Sequence, residues 1–192
     1  MSPRPRTPED VILRSTVELL AERGVANLTV DDVAARAGVG KATIYRHWSS
    51  RDGLVRAAIE WLQEPLVEPD TGDLRADLRS LLSQLVDELS GPDSGRVLPS
   101  FIDAAGRDPV LASILETATR ETRAAYARVI RRGIDRGELP DGAPVDLLTD
   151  LLMAPFVYRQ LVLGARSRPG SIDACLDLVL AGVRARASDD RR

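Results

Sequence analysis

Residues 29–48 read TVDDVAARAGVGKATIYRHW, and this stretch decides the fold. It describes two short helices joined by a glycine turn. Thr29 is a good N-cap, because its hydroxyl can accept a backbone N–H of the first turn. Asp31 and Asp32 then place negative charge where the helix dipole favours it. Val30, Val33, Ala34 and Ala37 fall at i, i+3, i+4 and i+7, which makes one apolar stripe. Gly38-Val39-Gly40 breaks the helix, with Val39 placed to tuck under the turn. In the second helix Ile44 and Trp48 share an inner face, while Lys41, Thr43, Arg46 and His47 point outward. A second helix of this kind fits the major groove of DNA.

The flanks agree. Thr7-Pro8-Glu9 is an N-cap, an N1 proline and an early acid, the order a helix start prefers. Ile12, Thr16, Leu19, Leu20 and Arg23 follow at helical spacing, and Gly24 stops that helix. Ser50 caps a further helix from Arg51 to about Gln63, with Leu54, Ala58, Trp61 and Leu62 inward and Pro65 at its end. The reading is a compact helical head followed by a connector helix. Between Arg36 and Arg56 five cations (Arg36, Lys41, Arg46, Arg51, Arg56) face one acid, Asp52, although the whole chain carries a net charge of -3. A basic patch on a balanced protein is the expected footprint of a DNA reader.

The run ELLAERGVANLTVDDVAARAGVGKATIYRHWSSRDGLVRAAIEWL closely resembles the N-terminal domain of the tetracycline-repressor-like (TetR) family of bacterial transcription regulators. The Thr29 cap, the GVGK turn and the IYRHW ending carry the resemblance together. The family pattern usually has Phe where Trp48 stands and Lys where Arg51 stands. Both changes keep the chemistry, an aromatic plug and a cationic phosphate contact. The resemblance implies DNA contacts from Thr29, Lys41, Thr43, Tyr45, Arg46, His47 and Arg51, with Thr29, Tyr45 and Arg51 on phosphates.

The rest of the chain reads as helices, with no period-two alternation of a strand. Leu74, Leu78, Leu81, Leu82, Leu85 and Leu89 mark one helix. A short one carries Leu98, Phe101, Ile102 and Ala105. A long one starts at Asp108-Pro109 and ends at Gly137 and Pro140. Another spans Asp146 to Leu163, and the last runs from Ser171 to about Ala187. The expected fold is all-α: a three-helix helix-turn-helix head at 1–50, a connector helix at 51–64, and a helical-bundle domain for ligand binding and dimerisation at 65–192. The segment LLMAPFVYRQLVLG also resembles the "G-P-x-Y-Y-R-x-L" helix of one C-terminal subclass of the family, with Ala154 where glycine is usual. A helix apolar nearly all round needs cover on every side. A second subunit is the expected cover, through Leu151, Leu152, Pro155, Tyr158, Leu176, Leu180 and Val183. Pro155 would also leave the Leu151 carbonyl without its helical donor.

Composition sets outer bounds. There is no apolar run long enough to span a bilayer, and MSPRPRTPED has no apolar h-region, so no signal peptide is expected. Cys175 is the sole cysteine, which excludes an intrachain disulfide and fits a reducing cytoplasm. Cys175 is read as a buried inert thiol rather than an oxidant sensor. His47 is the sole histidine and is read as a phosphate or base contact, since one histidine forms neither a metal cluster nor a catalytic triad. Arg4 and Arg6 are read as a solvated tail, with a minor-groove arm as the alternative. Arg159 and Gln160 are open to two readings, a ligand's polar group or an intersubunit hydrogen bond. No HExxH, GxSxG or phosphate loop occurs, so no enzyme, cofactor or metal site is expected.

The expected function is a sequence-specific regulator, a homodimeric repressor released from a palindromic double-stranded DNA operator by a small-molecule effector. Its pocket would be walled by Leu85, Leu89, Phe101, Ile102, Leu115, Tyr126 and Phe156, residues whose helical spacing also suits plain core. The alternative is a regulator whose C-terminal domain only dimerises or binds a protein.

Overall fold

The computed structural model describes residues 7–62, 66–91 and 94–189. Among these, nine α-helices and one 3-10 turn occur, with no strand. They are α1 (Pro8–Arg23), a 3-10 turn (Val25–Asn27), α2 (Val30–Ala37), α3 (Lys41–His47), α4 (Arg51–Leu62), α5 (Leu74–Ser90), α6 (Ser94–Ala105), α7 (Pro109–Asp135), α8 (Val145–Leu161) and α9 (Ser171–Asp189). Arg4, Arg6, Gln63, Pro65, Arg191 and Arg192 lie outside the described residues.

The helix starts follow local chemistry. Thr7 and Asp10 form a reciprocal capping box on α1, with Asp10 N–H donating to Thr7 Oγ1 at 3.2 Å and Thr7 N–H to Asp10 Oδ2 at 3.0 Å. Ser50 Oγ accepts from Gly53 N–H at 3.0 Å and caps α4. Asp108 accepts from Val110 N–H at 2.8 Å and starts α7. These caps are where the sequence places them.

The helices group into two compact units. The first holds α1 to α4, α6 and the start of α7 as far as Thr117. Its core includes Ile12, Leu19, Leu20, Val25, Val33, Ile44, Leu54, Val55, Ala58 and Phe101. Thus residues 91–117, which the sequence reading gives to the C-terminal domain, pack with the head: α6 lies on α1 and on the 3-10 turn. Asp10 serves twice here. Besides the cap, its Oδ1 accepts from Trp61 Nε1 at 3.1 Å and so ties the start of α1 to the end of α4.

The second unit holds α5, the rest of α7, α8 and α9. Leu74, Leu78, Leu81, Leu82, Leu85, Tyr126, Val129, Ile130, Leu152, Phe156 and Leu176 are buried in it. A Cβ at Gly133 would stand 2.7 Å from Leu74 Cδ2, so any larger residue there would displace the buried Leu74 side chain. Polar ties close the rim. Glu68 accepts from Arg128 and Arg132, and their guanidinium groups hold its carboxyl below the usual range. Buried Asp77 accepts from Thr71 N–H at 3.0 Å and Thr71 Oγ1–H at 2.7 Å. On α8, Pro155 has no N–H to give the Leu151 carbonyl, and the Cys175 thiol lies 3.9 Å from that oxygen.

The Asp10 double bond yields a prediction. Asp10→Ala removes a cap and the Trp61 acceptor together. Stability should fall by about 1–2 kcal/mol. Urea denaturation followed by circular dichroism measures it, and an unchanged midpoint would refute the tie.

Candidate nucleic-acid interface

The α2–turn–α3 segment is built by three local devices. Thr29 Oγ1 accepts from Asp32 N–H at 3.1 Å and donates to Asp32 Oδ2 at 2.5 Å. That bond, with Arg23 Nη1 at 3.1 Å, lowers the Asp32 carboxyl pKa. Gly38 then adopts the left-handed conformation, φ 69° and ψ 31°, and ends α2. Val39 N–H donates to Ala34 O at 3.0 Å and brings its side chain against the core. Only Ile44 of α3 is buried, and Trp48 packs half-buried at its C-cap. The opposite side of α3 is left to solvent.

On that side Lys41, Ala42, Tyr45 and Arg46 are exposed, Tyr45 to 51%. Thr43 is half-buried and lies 3.5 Å, by its Oγ1, from Arg46 Nη2. Two of the expected contact residues are held from below. Lys41 Nζ pairs with Asp31 of α2, and His47 Nδ1 lies 2.7 Å from Glu9 Oε1 of α1. Ala42 was no part of the sequence-based set, because a methyl group carries no charge or hydrogen-bond signal.

The fold changes the charge balance read along the chain. Arg36 makes a two-pronged bond to Glu22 of α1, at 2.8 and 2.7 Å, which lowers the Glu22 carboxyl pKa. Arg56 pairs with Glu60 at 2.8 Å. The local basic excess is therefore largely met by acids from elsewhere in the same unit. Among the described residues, Arg46 is the one cation of the five without a carboxylate partner.

Arg51, expected on a phosphate, is engaged within the chain. Its Nε donates to Leu28 O at 2.9 Å, one terminal nitrogen donates to Val25 O, and the other pairs with Asp52 at 3.0 Å. The planar fork of arginine reaches the Val25 carbonyl of the 3-10 turn and the Leu28 carbonyl just after it at once. Its charge is spent on bracing α4 to that turn.

The other sequence-based sets fall as follows. Leu85, Leu89, Tyr126 and Phe156 are buried in the second unit, Phe101 is buried in the first, and Leu115 is half-buried. Ile102 is 40% exposed, contrary to the inward face expected for it. Of the seven residues expected at a subunit interface, Leu151, Pro155 and Tyr158 are exposed and Val183 is half-buried. Leu152, Leu176 and Leu180 are instead buried in the subunit's own core, because α5 packs on that side of α8 and α9. The exposed apolar stripe is a neighbouring one: Leu147, Leu151, Ala154, Pro155, Tyr158 and Val162 on α8, and Leu178 on α9 at 77%.

Comparison with known proteins follows this geometry. The family described as "Bacterial regulatory proteins, tetR family" matches residues 12–58, and "Tetracyclin repressor-like, C-terminal domain" matches residues 68–179. The helix-turn-helix-type transcriptional regulator Rv1556 of Mycobacterium tuberculosis is 34% identical over 181 residues, 93% of this chain and 89% of that one. The crystal structure of the TetR family regulator SCO0332 shares 30% identity, with a TM-score of 0.67 over 93% of this chain and 99% of that one. The SmeT–triclosan complex superposes with a TM-score of 0.70 at 22% identity, covering 92% of this chain and 91% of that one. Among the described residues no helix is long and apolar enough to cross a membrane.

The internal bonds of Arg51 set an expected outcome. Arg51→Ala should destabilise the DNA-free protein by about 2 kcal/mol, because two turn carbonyls lose a charged donor. Chemical denaturation without DNA measures this. A stability unchanged by the substitution would return Arg51 to the phosphate-contact role.

Proposed function

Since this chain belongs to the TetR family of bacterial transcription regulators, we propose that it is a homodimeric repressor released from a palindromic operator by a small-molecule effector. The observation that carries the reading is α3, a short helix set by the Gly38 turn, with one buried residue and an exposed polar side. Residues 1–50 read the DNA, α4 connects, and the remaining helices serve dimerisation and the effector. Two heads of one dimer stand about 34–36 Å apart, or a multiple, to meet successive major grooves on one side of the duplex.

The exposed stripe of α8 and α9 supports the dimer. Leu147, Leu151, Tyr158, Val162 and Leu178 are large apolar side chains left in water by a single chain. Large apolar side chains left exposed in this way mark an interaction surface. A two-fold pairing of the same face on two copies would cover it on both.

Tyr126 supports the effector. It is fully buried in the second unit, and its hydroxyl has no hydrogen-bond partner. Burial, with the Glu88 charge and then Cys175 adding to it, pushes the phenol pKa up, so the group stays a neutral donor. A buried donor left unmade costs about 1–3 kcal/mol, which a bound acceptor would recover. SmeT, of the same fold, is described in complex with triclosan, which agrees with a small-molecule effector for this chain.

Assembly is tested by two substitutions a short distance apart. Leu178→Asp places a charge on the exposed stripe and should give folded monomers that lose the operator. Leu180→Asp places it in the subunit core, where an unpaired charge costs several kcal/mol, and should unfold the chain. Light scattering, circular dichroism and an operator shift assay read all three forms. A folded Leu178→Asp dimer with full operator affinity would defeat the proposal.

Tyr126→Phe tests the unmade bond. Without effector the variant should be as stable as the wild type or more so, by up to about 1–3 kcal/mol. It should also need more of any compound that frees the wild type from its operator. A clear loss of stability in thermal denaturation would mean the hydroxyl already has a partner.

A further inference from the structure

The exposed side of α3 is not uniform. Counting about 100° per residue around the helix, Ala42 and Arg46 lie roughly 160° to either side of Ile44. Ile44 is buried, so these two residues form the crest of α3, the line farthest from the protein core. Both are exposed. Thr43 and Tyr45 lie roughly 100° from Ile44 and form the shoulders. Lys41 and His47 lie only roughly 60° from it, low on the flanks. There the acids already described hold them, Asp31 on Lys41 and Glu9 on His47.

A helix inserted in the major groove brings its crest nearest the base edges, while its flanks face the two phosphate walls. We infer that sequence reading in this protein rests on two adjacent residues of the α3 crest, Arg46 for a guanine and Ala42 for the methyl group of a thymine beside it. This rests on reading α3 as the operator-reading helix.

The chemistry of each residue fits its place. Arg46 has no carboxylate partner among the described residues, so its fork is free to take guanine O6 and N7 together. Thr43 Oγ1, 3.5 Å from Arg46 Nη2, stands where it can steady that fork. Ala42 offers only a methyl group. On a base edge its one favourable match is the C5 methyl of thymine. Residues four apart on a helix have Cβ atoms about 5–6 Å apart, and base steps rise about 3.4 Å, so the thymine lies one or two steps from the guanine. Lys41, Tyr45 and His47 are left to the phosphate walls, where they add affinity without sequence preference.

The test uses the full-length dimer. A random duplex library is selected with wild-type protein. The enriched half-site is then remade with uracil in place of each thymine, which removes only the methyl group. Wild type should prefer thymine over uracil by roughly fourfold at one position, one or two steps from a guanine, the worth of about one buried methyl group. Ala42→Gly should bring that ratio to about one while keeping the guanine preference. Arg46→Ala should do the reverse. Ratios within one variant are insensitive to any change in its folding. Equal binding of thymine and uracil next to the guanine, or an unchanged ratio in Ala42→Gly, would overturn the inference while leaving the operator reading intact. Enrichment of no palindrome by the wild type would refute the operator reading itself.

Discussion

Gly38 turns the chain left-handed at the end of α2, with φ 69° and ψ 31°, and the direction of α3 depends on that one turn. A side chain in this conformation would clash with its own backbone, so glycine is the residue that permits it. Once the turn is made, Val39 enters the core and Ile44 follows it. The remaining residues of α3 are then forced outward. The polar surface of the head is thus a consequence of two apolar side chains finding cover.

The same economy governs the bonds around the head. Asp10 caps its own helix and holds Trp61 of α4. Arg51 braces α4 to the turn that precedes α2. Asp10 reaches across the chain to an indole N–H, and Arg51 to two backbone carbonyls. Surface pairs such as Arg56 with Glu60 are exposed and contribute far less to stability.

What the sequence made legible was local. Thr7, Thr29, Ser50 and Asp108 announce helix starts because a cap and the N–H it accepts lie within three residues. The Gly38 turn is visible for the same reason. The internal bonds of Arg51 are hidden in the sequence because its partners, Leu28 and Val25, stand 23 and 26 positions away. The placing of residues 91–117 with the head was hidden for a similar reason, since no change of composition marks it. On α8 and α9 the difficulty was phase. A helix apolar on most sides does not say which leucine faces inward, so Leu152, Leu176 and Leu180 were assigned outward and lie inside. Ala42 escaped notice because alanine gives no chemical signal until the geometry puts it on a crest.

The residues of the α3 crest take no part in holding the head together. Ala42 and Arg46 stand in solvent, while the head's core is carried by Ile44, Val33, Leu54 and Phe101. Stability and sequence preference are therefore written in separate letters of one short helix. Drift at positions 42 and 46 could redirect the protein to a new target site without a penalty in folding. A duplicated copy could diverge in the genes it controls after two substitutions, with its scaffold untouched. The seven-residue helix is short enough for such a change to come in few mutational steps.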